Sequence, residues 1–159
     1  MIQYFILDKL TNSLVGHINM DLDYAGDLTP EESWNILKAD THSYLVDCRT
    51  TAEWAFVGVP SLETINKKVI FLEWQTFPVM EKNSKFLQEI SENIPSKDSK
   101  IIFLCRSGAR SRSAAEFLTS QGYKNCYNCS EGFEGKHDEL VHRGKVNGWK
   151  CSSLPWKQG

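Results

Sequence analysis

The sequence lacks both a long hydrophobic run and a marked excess of charge of either sign. Its apolar runs are much shorter than the roughly 20 residues that span a bilayer, so we expect no membrane partner. It carries 18 Lys and Arg against 20 Asp and Glu, for a net charge of −2. That balance argues against a nucleic-acid-binding surface, and we expect no nucleic acid as a partner.

The sequence also lacks the cysteine pattern and the leader that are typical of a secreted protein. It has five cysteines, an odd number, and no basic leader followed by a long apolar stretch. We therefore expect a cytoplasmic location. The C-x-x-C pair Cys126 and Cys129 follows a strand pattern instead of opening a helix, which favours a core role over a redox or zinc site. We predict neither a metal nor a cofactor.

What the sequence does contain is an alternation of short apolar strands with helical patterns. Thr29, Pro30 and Glu32 form a capping box with proline at the first helical position, which predicts a helix start. The alternation predicts an α/β fold, an open parallel sheet of about five strands with helices on both faces. The strand patterns cover residues 43–47, 68–74, 100–105 and 124–129, and the helical patterns cover 29–39, 85–94 and 112–122.

A chain of 159 residues suffices for one domain with a real core. We assign residues 28–159 to that domain, with a short helix near 135–142 and an irregular C-terminal tail over 143–159. Residues 1–27 are interpreted as an N-terminal extension that contains a candidate edge strand near its start. The composition gives no role for this extension.

The stretch from Ile101 to Tyr123, IIFLCRSGARSRSAAEFLTSQGY, places a cysteine at the end of a buried strand pattern. In an open parallel sheet, ligands bind beyond the carboxyl ends of the strands. Gly108 permits a tight curl into a helix start, where backbone N–H groups and the helix dipole attract anions. Three arginines follow Cys105, and no acid lies between positions 105 and 115: Arg106, Arg110 and Arg112.

A thiol in such a field is expected to be largely a thiolate, which is the nucleophilic form. Two chemistries fit a nucleophilic sulfur beside an anion cradle: phosphate or arsenate chemistry, and transfer of sulfur from an anionic donor. Cysteine phosphatases place an arginine six positions after the cysteine, whereas here Ser111 stands at six and Arg110 at five. The shorter spacing closes the loop into a tighter ring than a tetrahedral phosphate needs, which favours sulfur transfer. A cysteine-dependent phosphatase or arsenate reductase and a non-catalytic binding module remain the alternatives.

Several segments resemble the single-domain rhodanese family of sulfurtransferases. CRSGARS (105–111) resembles the active-site loop of that family, and LVDCRTTAEW (45–54) resembles its Asp-x-Arg strand end. GYKNCYNCSEGFEG (122–135) resembles its strand that leads to a glycine turn. Together with LTPEESW (28–34), the likeness covers roughly residues 28–135. EWAFVGVP (53–60) and the tail HRGKVNGWKCSSLPW (142–156) resemble a bacterial rhodanese-like subgroup.

The resemblance implies a persulfide mechanism with Cys105 as the catalytic residue. Cys105 would take a sulfane sulfur from a small anionic donor such as thiosulfate and pass it to a thiol, a protein or cyanide. Asp47 and Arg49 would support the loop, and we expect Glu53 to pair with Arg49. Arg106 and Arg110 would hold the donor, within a substrate-binding set made up of Arg106, Ser107, Gly108, Ala109, Arg110 and Ser111.

Overall fold

A computed structural model of the chain describes residues 22–159. The candidate edge strand near the start of the sequence lies outside the described residues. The elements follow in the order β1 (Gly26–Leu28), α1 (Pro30–Ala39), β2 (Ser43–Asp47), α2 (Thr51–Val57), β3 (Val59–Pro60), β4 (Ile70–Phe71), β5 (Gln75–Thr76), β6 (Glu81–Lys82), α3 (Phe86–Asn93), β7 (Lys100–Leu104), α4 (Ala109–Ser120), β8 (Asn125–Cys129) and β9 (Trp156–Lys157).

Five of these strands form one parallel sheet in the order β1-β8-β7-β2-β4, which confirms the predicted α/β fold. β7 is therefore the central strand. Asp47 lies beside Leu104, and Phe103 lies beside Asn128, so β2, β7 and β8 all end at the same edge. That edge receives the loop that carries Cys105.

Alternating side chains of β7 build two apolar clusters, one on each face of the sheet. Ile101 and Phe103 pack in a cluster that includes Phe86 of α3 and residues of α4. Ile102 and Leu104 pack in the opposite cluster, which includes Leu37 of α1. Helices thus cover both faces, as predicted, and β7 is packed on both sides.

Two helices near the site begin with the same capping device. In α1 the Thr29 side chain accepts from the Glu32 N–H and the Glu32 carboxylate accepts from the Thr29 N–H, as predicted. The same box, built from Thr50 and Glu53, starts α2, which was not predicted. α2 has only seven residues, too few to reveal a helical period in the sequence.

The predicted helix near 135–142 is wrong, because the Asp138 carboxylate draws this segment into a tight loop. Its Oδ1 accepts from the N–H groups of Leu140 and His142, and Val141 has a positive φ. The tail beyond is anchored at two points: Trp149 is fully buried, and β9 pairs with β3. Within residues 22–159, no helix combines the length and apolarity needed to cross a membrane.

Candidate active site

Cys105 follows β7 and lies at the floor of a cavity of about 580 Å³. The residue is only 1% exposed, so a reactant must enter the cavity to reach its sulfur. The Gly108 N–H donates to Cys105 Sγ at 3.1 Å, and Ser111 Oγ lies 3.1 Å from the same sulfur. α4 begins at Ala109, so the sulfur also faces the positive end of a twelve-residue helix.

Gly108 is the residue that makes this curl feasible. Its φ is +105°, which residues with a side chain rarely adopt, and a Cβ there would lie 2.1 Å from the Ser130 carbonyl oxygen. Only glycine permits both the backbone turn and the close approach of residue 130. The predicted glycine curl is thus present, with its N–H directed at the sulfur.

The turn over residues 130–135 fixes the loop from outside. The Phe133 N–H donates to the Cys105 carbonyl at 2.7 Å, and the Glu134 N–H donates to the Arg106 carbonyl at 3.0 Å. Gly132 lies so close that a Cβ on it would approach the Arg106 carbonyl carbon to 2.4 Å. The position of the loop backbone is therefore fixed by hydrogen bonds from a second segment of the chain, residues 130–135.

Asp47 and Arg49 lie close to the same loop, but the expected pair between Arg49 and Glu53 is wrong. Arg49 donates twice to the Asp47 carboxylate, at 2.9 and 2.7 Å, and both side chains are fully buried. The Arg49 guanidinium lies 4.2 Å from the ring centroid of Phe133, the residue that holds the Cys105 carbonyl. Arg49 pairs with Asp47, the nearest carboxylate along the chain, because the two groups meet in bidentate geometry.

Glu53 instead pairs with Arg110. Two guanidinium N–H groups of Arg110 donate to the two carboxylate oxygens at 2.6 and 2.7 Å. Burial raises the pKa of Glu53, but hydrogen bonds from Arg110 and Thr50 outweigh it and lower the pKa to about 2. The hydrogen bond with Glu53 raises the pKa of Arg110 above its usual value.

The expectation of three uncompensated arginines is therefore wrong at two positions. Glu53 neutralises Arg110, and Arg112 pairs with Glu116 at 2.9 Å. Arg106 is exposed at the cavity wall, and it has no carboxylate within ion-pair distance among residues 22–159. Arg106 is thus the available positive charge of the loop.

The predicted binding residues divide into two groups. Four of them line the cavity with Cys105, namely Arg106, Ser107, Ala109 and Arg110. Gly108 and Ser111 are buried and do not line it. Ser111 lies behind the sulfur, on the side away from an entering reactant.

A chain of hydrogen bonds runs from Ser111 away from the cavity. Ser111 Oγ donates to Asn128 Oδ1 at 2.6 Å, and Asn128 Nδ2 donates to Asp27 Oδ1 at 3.0 Å. The Asp27 contact sets the orientation of the Asn128 amide, so its oxygen faces Ser111. These two residues were missed, because nothing near them in the sequence links them to Cys105.

The opposite wall of the cavity was also missed. It comes from the β5–β6 region, through Gln75, Phe77 and Met80. Phe77 is 61% exposed, so an apolar ring stands at the cavity mouth. A short hairpin with two-residue strands leaves no periodic signal in the sequence.

Cys126 and Cys129 are both buried, on opposite faces of the sheet. Cys126 packs in the cluster of Phe103, and Cys129 packs in the cluster of Leu104. Burial raises the pKa of Cys126 to about 11 and that of Cys129 to about 12. Their placement is that of core residues, since side chains on opposite faces cannot approach each other.

The chain is similar to known proteins in sequence and in fold. The family model described as the STR4 middle domain matches residues 26–159. The uncharacterized protein RP600 of Rickettsia prowazekii is 46% identical over 126 residues, 79% of this chain and 92% of that protein. The thiosulfate sulfurtransferase GlpE of Haemophilus influenzae is 30% identical over 109 residues, 69% of this chain and 85% of that protein. The crystal structure of Rv0390 from M. tuberculosis has a TM-score of 0.78 at 44% identity, covering 86% of this chain and 99% of that one.

Proposed function

The chain belongs to the family of STR4 middle domains and has a rhodanese-like fold, and from this premise we propose that it is a sulfurtransferase. It moves a sulfane sulfur from an anionic donor such as thiosulfate to a thiol, a protein or cyanide through a Cys105 persulfide. The observation that carries the proposal is the position of Cys105 Sγ, at a cavity floor and 3.1 Å from the Gly108 N–H. All five cysteines are free, which fits a cytoplasmic site of action.

In the first half-reaction the Cys105 thiolate attacks the sulfane sulfur of thiosulfate. The sulfur–sulfur bond of the donor breaks, sulfite leaves with the electron pair, and Cys105 retains the sulfur as a persulfide. Arg106, which lines the cavity, attracts the anionic end of the donor. The Gly108 N–H and the N-terminus of α4 stabilise the negative charge on sulfur.

In the second half-reaction an acceptor thiolate or cyanide attacks the outer sulfur. The bond between the two sulfurs breaks, and Cys105 regains its thiolate while the acceptor leaves as a persulfide or as thiocyanate. The restored charge lies again beside the Gly108 N–H, with Ser111 Oγ 3.1 Å away. No cofactor takes part in either half.

The position of Ser111 favours sulfur transfer over phosphatase or arsenate chemistry. Ser111 stands six residues after Cys105, where cysteine phosphatases carry an arginine, and it is buried behind the sulfur. Arg110, one position earlier, is already paired with Glu53. A tetrahedral phosphate would therefore lack the bidentate arginine that this chemistry needs. We expect no Cys105-dependent hydrolysis of an aryl phosphate.

The test is incubation of the reduced protein with thiosulfate, followed by intact-mass and peptide-mass measurement. We expect a gain of one sulfur atom on Cys105 that is lost on addition of cyanide, with release of thiocyanate. Cys105→Ser should form no adduct, and Cys151→Ser, which changes an exposed cysteine, should behave as the wild type. No adduct with thiosulfate, polysulfide or a thiosulfonate, or an adduct that survives in Cys105→Ser, would refute the proposal.

A further inference from the structure

Cys48 lies directly beside Cys105, where two neighbouring parallel strands end. Asp47 of β2 is paired with Leu104 of β7, and each cysteine is the next residue of its strand. The Cys48 N–H donates to the Leu104 carbonyl at 2.9 Å, so the two chains are still hydrogen-bonded at this level. The two cysteines are thus adjacent across the sheet although they are far apart in sequence.

Both side chains also lie on the same face. Cys48 and Cys105 pack in the cluster that contains Val46 and Phe103, two residues earlier on each strand, as the alternation of a strand requires. Neighbouring strands lie about 4.7–4.9 Å apart. That spacing falls within the Cα–Cα range of roughly 4.4–6.8 Å that a disulfide bridges.

The other buried cysteines near the site do not share this placement. Cys129 is the last residue of β8, the other neighbour of β7, but it packs on the opposite face with Leu104. Cys126 shares the face of Cys105 but pairs with Ile101, at the start of β7. Only Cys48, among residues 22–159, combines the same face with the same level of the sheet.

Packing alone does not require a cysteine at position 48. The residue is fully buried in an apolar cluster, which a small hydrophobic side chain would fill equally well. Burial and the neighbouring Cys105 raise the pKa of the Cys48 thiol well above its usual value. Cys48 therefore stays protonated and does not compete with Cys105 for substrates that enter the cavity.

We propose that Cys48 is the resolving thiol of Cys105, closing a reversible Cys48–Cys105 disulfide when hydrogen peroxide oxidises the site. The Cys105 thiolate attacks one peroxide oxygen, the O–O bond breaks, hydroxide leaves, and Cys105 becomes a sulfenic acid. Cys48 Sγ then attacks Cys105 Sγ, the S–O bond breaks, and the hydroxide takes the Cys48 proton and leaves as water. Two thiols and one peroxide thus give one disulfide and two waters.

The disulfide protects the nucleophile, because a cysteine held as a disulfide does not proceed to the irreversible sulfinic acid. A dithiol reductant reopens it by exchange, becoming a disulfide itself and restoring both thiols. As regulation of sulfur transfer this inference rests on the proposed function, whereas the bond itself rests only on the placement of the two cysteines.

In the test, the reduced chain of residues 1–159 is treated with hydrogen peroxide and trapped in acid, and its intact and peptide masses are measured. The wild type should lose two hydrogen atoms, give a Cys48–Cys105 cross-linked peptide and return to the starting mass with dithiothreitol. Cys48→Ala should instead gain two oxygen atoms on Cys105 and not recover. Cys48→Val, which fills the buried space better, should behave in the same way, and Cys129→Ala should behave as the wild type.

The inference is overturned if the wild type forms no disulfide, if Cys105 pairs with another cysteine, or if Cys48→Ala resists peroxide as well as the wild type. The persulfide assay with thiosulfate is run on the same reduced samples. A disulfide without any persulfide supports the inference and refutes only the proposed function. A persulfide without any disulfide supports the proposed function and overturns only the inference.

Discussion

Glu53 and Arg110, which are 57 residues apart in sequence, form a two-bond ion pair at the wall of the cavity. The same carboxylate accepts from the Thr50 N–H at 2.9 Å and so caps α2. One side chain therefore joins the start of a helix to the loop that carries Cys105. Because the capping bond and the ion pair share Glu53, the position of α2 and the orientation of Arg110 depend on each other.

Replacement of Glu53 by Gln should separate these two roles. Glutamine still serves in a capping box, so α2 should persist, whereas the charge that holds Arg110 is lost. We expect a loss of about 1.5–3 kcal/mol in the free energy of unfolding, as for hydrogen bonds to charged groups, and a lower turnover number. Urea unfolding and the thiosulfate–cyanide assay measure the two effects. The control Glu116→Gln, in an exposed pair, should cost less than about 1 kcal/mol; equal losses would contradict this role for Glu53.

The same pair predicts how stability depends on pH. The pKa of Glu53 is about 2 in the folded protein against a usual value of 4.5, so the folded state favours the charged carboxylate. The resulting stability is fully present above pH 4.5 and is lost as the pH falls toward 2. In denaturant unfolding, the difference between wild type and Glu53→Gln should be constant from neutral pH to pH 5 and shrink below pH 4.5. A difference that grows with acidity would have the wrong sign.

Gly108→Ala should disrupt the loop. The new Cβ would lie 2.1 Å from the Ser130 carbonyl oxygen, at a φ of +105°. We expect a destabilisation of about 2 kcal/mol or more and no measurable persulfide. Gly144→Ala is the matched control, since its φ is also positive, +79°, but nothing lies within 4 Å of its Cβ. That variant should lose only about 1 kcal/mol and keep its activity.

Arg106→Ala should weaken donor binding without unfolding the protein. Arg106 is exposed and unpaired among the described residues, so its removal leaves no buried charge behind. We expect the KM for thiosulfate to rise about tenfold, equivalent to about 1.4 kcal/mol, with an unchanged melting temperature. Arg112→Ala, which removes an arginine paired with Glu116, should leave the KM unchanged. Similar KM values for both variants would contradict the assignment of Arg106.

Local patterns predicted the parts of the site that depend on short stretches of chain. The strand before Cys105, the glycine curl and the capping box at Thr29 are each encoded within a few residues, and the structure confirms them. The partner of Arg110 was missed, because its ion pair with Glu53 joins α4 to α2 and depends on tertiary packing. Position along the chain suggested Arg49 for Glu53, but Arg49 pairs with Asp47 instead.

The missed features share a physical reason. α2 is too short for a hydrophobic period, and the wall formed by Phe77 and Met80 belongs to a hairpin of two-residue strands. The predicted helix at 135–142 failed because one carboxylate, that of Asp138, offered the backbone N–H groups a better partner than helical carbonyls. Polar side chains that bond to nearby backbone override a weak helical pattern.

The contacts of residues 130–135 with the loop that carries Cys105 limit how that loop can be engineered. Ser130 and Gly132 touch the loop backbone at distances that leave no room for an added methyl group. An extra residue between Cys105 and Arg110, which would bring the loop to the length found in cysteine phosphatases, would have to displace that distant turn. Contacts with residues 130–135 thus limit the length of the loop. To fit the site to phosphate, both segments would have to be exchanged together.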